Sequence, residues 1–204
     1  MSDRIQNLLK QANSREIPDT SITFAKRAFL DESDAKNYFA EVRQKLFDLE
    51  EWDKNSAAGY GLYDENGSEC ADKKITVGKF IYIDVPASGK KDWVKVTDIY
   101  DAPDEFIMTV QPSCNPTEKP VETGVTSHFF HREARNNFCL QRDDKEIVLY
   151  VIGINEKTNL KETDNLIETA RNAAAANMGY FLGAQKAMWK DFCANFLEIK
   201  DEEN

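Results

Sequence analysis

"TDNLIETARNAAAANMGYFLGAQKAMWKDFCANFL" (163–197) contains no proline, and its apolar residues recur at helical spacing. Ile167, Ala170, Ala174, Met178, Phe181, Met188, Phe192 and Phe196 lie along one stripe. An unbroken helix of this length would run roughly 50 Å at about 1.5 Å per residue. Ala170, Ala173 to Ala176, Gly179 and Gly183 make its middle thin, which suits close approach to a sheet, and the two glycines are candidate kink points. Such a stripe must be buried against something. What it covers decides the fold.

The segments before it have a different period. "EIVLYVIGI" (146–154), "VGKFIYIDV" (77–85), "DWVKVTDIY" (92–100) and "EFIMTVQP" (105–112) are rich in β-branched and aromatic residues. "PASGKK" (86–91), "DAPD" (101–104) and "DDK" (143–145) between them are turn signals. "AAGYGLYDENG" (57–67), "VTSHFFH" (125–131) and "NNFCLQR" (136–142) complete a meander of about seven strands. Short connections favour antiparallel pairing. "SCNPTEKPVETG" (113–124) is a loop. Upstream, "SITFAKRAFL" (21–30) is β-compatible, and Asp31 or Ser33 can cap a helix that runs on to about Trp52. Ile5, Leu8, Leu9 and Ala12 predict a short amphipathic helix over 3–13.

The expected fold is therefore α+β: an antiparallel meander with one face covered by a long C-terminal helix. Residues 1–20 form an N-terminal helical extension, 21–198 a single domain and 199–204 an acidic tail. A chain of 204 residues suffices for one substantial core.

Composition excludes some functions. Twenty-six basic and 36 acidic residues give a charge of −10, which disfavours non-specific binding to nucleic acid or anionic membrane. The longest apolar run, 147–154, is too short to span a bilayer as a helix, so no membrane insertion is expected. The N-terminus lacks the apolar stretch of a signal peptide. Cys70, Cys114, Cys139 and Cys193 form no C-x-x-C pair and read as reduced thiols of a cytoplasmic protein.

The only histidines, His128 and His131, are three residues apart. On a strand that spacing puts them on opposite faces, so they cannot share a metal. Zinc also needs three or four ligands, and no metal or other cofactor is expected. Cys139 in an apolar stretch reads as a small buried hydrophobe beside no G-x-S-x-G or S-x-x-K motif. The paired carboxylates Asp143–Asp144, Asp31–Asp34 and Glu50–Glu51 sit where solvation explains them. "GINEKTN" (153–159) is the most polar junction between strand and helix. Its Asn155 and Asn159 suit Asx-turns, and Glu156 is a candidate partner for Arg171.

The order of elements from about residue 21 to 198 resembles the helix-grip fold of START-like and polyketide-cyclase-like domains. That resemblance implies a curved sheet around a long C-terminal helix, with an apolar cavity between them. The N-terminal helix and one extra strand depart from the family pattern. "SHFF" (127–130), "GINEKTN" (153–159) and "ARN" (170–172) are also similar to uncharacterised bacterial proteins of this length, a likeness that implies no activity.

The functional expectation is a non-catalytic domain binding an apolar, lipid-like small molecule. Tyr82, Trp93, Met108, His128, Phe130, Met178 and Phe181 are the expected cavity residues. The alternative is a cytoplasmic interaction subunit with a protein partner; an enzyme ranks third.

Overall fold

The computed structural model describes residues 3–14, 19–84, 91–118, 130–157, 183 and 185–199. Seven strands form one open antiparallel sheet: β1 (Ser21–Ala28), β2 (Gly59–Tyr63), β3 (Phe80–Asp84), β4 (Lys91–Ala102), β5 (Glu105–Pro112), β6 (Arg135–Asp143) and β7 (Glu146–Ile154). Their order is β1-β7-β6-β5-β4-β3-β2. The last six strands are a meander, as the turn signals predict. The first strand closes onto the last, with Ser21 opposite Gly153 and Ala28 opposite Glu146.

Alternation along each strand divides the apolar residues between two faces. The inner face carries Ile81, Val94, Val96, Met108, Phe138, Leu149 and Val151. It is covered by α2 (Glu32–Leu46), α3 (Leu49–Asn55) and the C-terminal helix, described over 185–196. That helix drives Met188, Trp189, Phe192, Cys193 and Phe196 into the inner core. The C-terminal helix thus covers the sheet, as expected.

The apolar spacing predicts one helix between Asp31 and Trp52, and two are found. Asp31 caps α2 by accepting from the Asp34 amide at 2.9 Å. At Phe47 the chain leaves the helix to meet residues 73–75: Leu49 N–H donates to the Lys73 carbonyl at 3.0 Å, and Ile75 N–H to the Phe47 carbonyl at 2.8 Å. Asp48 then caps α3. The corner is locked by Trp52, whose indole N–H donates to the Leu46 carbonyl at 3.1 Å.

The outer face has its own core. α1 (Asp3–Ala12) lays Ile5 and Ala12 against Ile107, Cys139, Ile152 and Ile154. The buried Glu105 carboxylate accepts from the Ile5 amide at 3.3 Å, which meets one orphan donor of the first turn. Arg4 stacks over the Tyr100 ring at 4.0 Å.

Candidate functional site

One end of the inner face is hollow. β3, β4 and β5 form its floor through Ile81, Ile83, Val94, Val110 and Pro112. Trp52, Phe130, Phe138, Met188 and Trp189 form its walls. Phe138 stands at the centre, with ring centroids 4.7 Å from Trp52, 5.2 Å from Trp189 and 5.7 Å from Phe192. The polar lining is Asp92, Asn136 and Gln185. The centre of a water-sized sphere can move within about 20 Å³ of the hollow, room for about one water, and the space reaches about 560 Å³ when the open solvent at its mouth is counted.

Next to the hollow the sheet carries a carboxyl. Gly153 lies between Ser21 on β1 and Asn136 on β6. A Cβ on Gly153 would collide with the Glu156 carboxyl, so Glu156 folds back over the one inward position of β7 that has no side chain. Asn136 reaches the same carboxyl from the neighbouring strand. In the amide orientation that satisfies both of its side-chain atoms, Asn136 donates to Glu156 Oε1 at 3.1 Å and to the Arg135 carbonyl at 3.1 Å.

Burial pushes the Glu156 carboxyl above its usual range. A hydrogen bond with Ser21 works the other way, and the charge of Asp19 reinforces the rise. The folded chain therefore holds this proton more tightly than the unfolded chain. The resulting stabilisation is complete below the ordinary glutamate value and is lost as pH rises through the folded value. Glu156→Gln removes that loss. Thermal melts should show the variant gaining on the wild type by a few degrees at about pH 7, with the gain vanishing near about pH 4.

The expected cavity residues divide three ways. Phe130 lines the hollow and is 1% exposed. Met108 faces inward opposite Phe138 but belongs to the solid core behind the void. Tyr82 and Trp93 require correction: they stand on the outer face. They pair with each other across β3 and β4, whereas their neighbours Ile81 and Val94 form the floor of the hollow. With Tyr63 they form an outer cluster, its centroids 5.2–6.0 Å apart. The Tyr82 ring fills the space above Gly61, where a Cβ would run into it. His128, Met178 and Phe181 lie outside the described residues, as does Arg171.

"VTSHFFH" is expected to be a strand. Of its described residues, Phe130 makes a single bridge and the chain turns directly after His131. The His131 amide donates to the Lys157 carbonyl at 2.8 Å, tying this turn to the exit of β7. Cys139 lies under α1, on the face opposite the hollow. Among the described residues, no group of three or more His, Cys, Asp or Glu could hold a metal ion, and no helix is long and apolar enough to cross a membrane.

A seven-stranded antiparallel sheet packed on a C-terminal helix, hollow at one end, is a helix-grip-like α+β domain. No protein-family model and no curated protein matches the chain. Among solved structures it is similar to a hypothetical protein of Helicobacter pylori, with 14% identity over 91% of this chain and 92% of that one and a TM-score of 0.52. A protein of Bacillus halodurans has 12% identity over 88% and 96% of the two chains, with a TM-score of 0.44. Truncated norcoclaurine synthase from Thalictrum flavum has 11% identity over 78% and 90%, with a TM-score of 0.36. At these identities the likeness is one of fold alone, and it rests on the first.

Proposed function

We propose that the protein binds a small, mostly apolar molecule at the hollow end of its inner face. The observation that carries this reading is the wall itself. Five large apolar side chains, four of them aromatic, converge there around an unfilled space, with three polar side chains at its edge. Concave, ring-lined sites with a few placed polar groups suit small ligands. The hollow has room for about one water inside the wall, so a larger molecule fits only where the space opens to solvent. The four free thiols fit a protein held in a reducing compartment.

Native mass spectrometry on protein purified from its own host tests this. A bound small molecule that is lost on denaturation is the expected result. Protein that carries no such molecule, and that leaves the fluorescence of an apolar dye unchanged, would defeat the reading. A retained protein in place of a small molecule would favour an interaction subunit instead.

A further inference from the structure

The turn that follows β7 is fastened to three separate segments. Asn155 takes a left-handed conformation at φ 55°, which asparagine tolerates, and Glu156 folds back over the sheet. The Glu156 amide donates to the Asp19 carbonyl at 2.7 Å, ahead of β1. Its carboxyl lies over Gly153 and accepts from Ser21 at the start of β1 and from Asn136 of β6. The Lys157 carbonyl accepts from the His131 amide at 2.8 Å.

That last bond reaches the hollow. Phe130 and Ala134, at the two ends of the turn around His131, line it and are each 1% exposed. The Ala134 amide donates to the His131 carbonyl at 2.9 Å, so the turn that carries both wall residues is tied to the turn after β7.

The Glu156 carboxyl is the part of this assembly that can change state. Among the described residues it meets no cation. Asp19 adds a negative charge from the approach to β1, and Ser21 and Asn136 are neutral. The cations beside these residues in the chain, Arg135 and Lys157, are exposed. His131 meets the turn through its backbone amide. Burial and Asp19 both favour the neutral acid. A carboxylate in this place gains water by swinging off Gly153.

We propose that Glu156 is a proton-operated latch on one wall of the hollow: the neutral acid holds the turn after β7 closed, and the carboxylate lets that turn, the His131 amide and Phe130 move away together. The loss of stability at higher pH then falls first on this wall and not on the whole domain. The latch stands whether or not the hollow takes a ligand.

Amide hydrogen exchange of the ligand-free chain, followed residue by residue from about pH 4 to 8 and corrected for intrinsic base catalysis, tests it. In the wild type, protection of the His131 and Ala134 amides should begin to fall just above the ordinary glutamate value of about 4.3. It should drop by up to tenfold per pH unit and level off once the folded value is passed. In Glu156→Gln, which is neutral at every pH, both amides should keep their protection across the range. The Gly78 amide, bonded to the Val96 carbonyl at 2.8 Å in a turn ahead of β3, is the control and should not change in either protein. Wild-type protection that is flat with pH overturns the latch. So does an equal fall in Glu156→Gln, which would assign the response to His131. A fall of the same size at Gly78 would mean that the whole domain loosens, and overturns it as well. An onset near about 4.3 marks a glutamate and one near about 6.5 an imidazole, so the wild-type curves decide the matter even where the variant fails to fold.

Discussion

Trp52→Ala is expected to cost about 3–5 kcal/mol, a large share of the roughly 5–15 kcal/mol that holds a domain together. The side chain is 1% exposed and meets Tyr60, Phe138 and Phe192 at centroid distances of 5.5, 4.7 and 5.2 Å. Removing it opens a cavity next to an existing void, so the surrounding rings have little to collapse onto. It also takes the donor from the Leu46 carbonyl, the bond that holds the corner between α2 and α3. The midpoint of thermal unfolding should fall by roughly 6–20 °C. Trp52→Phe keeps a ring and loses mainly the hydrogen bond, so it should cost about 1 kcal/mol beyond the change in volume. If Trp52→Ala melts within a degree or two of the wild type, the corner is not a keystone of the inner core.

Ile5→Ala should have an effect of similar size, but a local one. Ile5 is fully buried between α1 and the outer face. Truncating a buried isoleucine costs about 2–5 kcal/mol. Here the loss falls on the docking of one short helix, which can lift while the sheet stays folded. Cys139 is the natural reporter, since it lies under that helix. Burial and the nearby Glu105 charge hold its thiol in the neutral form. A loss of about 2 kcal/mol raises the lifted fraction roughly 30-fold, and alkylation of Cys139 should accelerate to match. Cys193 is the control. It is buried in the inner core, with its thiol pushed up to about 12 by burial, and reacts only when the whole domain opens. Equal acceleration at both cysteines would mean that α1 does not open independently.

Strand positions are legible because β-branched and aromatic runs between turn residues leave few alternatives. The "DDK" turn holds Asp144 at φ 53°, a conformation that aspartate tolerates. The facing of those strands is harder to read. Both faces of β3 are apolar, since the outer one packs its own rings, so alternation there gives no sign of which set points inward. On β4, the exposed Lys95 shares the face of Trp93 and marks it as outward, a sign that the expectation for Tyr82 and Trp93 passes over. The break before Asp48 is hidden because apolar spacing continues from Leu46 to Leu49 across it. The Glu156 device has a faint signal: a lone glycine, Gly153, inside an otherwise apolar strand, with an acid three residues on.

The pairing of β1 with β7 ties the first strand of the sheet to the last one made. During synthesis on a ribosome, β1 emerges long before its neighbour exists, and the helix that seals the inner core comes later still. Contacts this distant in sequence form slowly. The nascent chain must therefore carry an unpaired strand, with Phe24 and Ile22 available to other chains, until nearly all of the domain has been made. Such a protein should depend on chaperones that shield edges during translation more than its modest size would suggest.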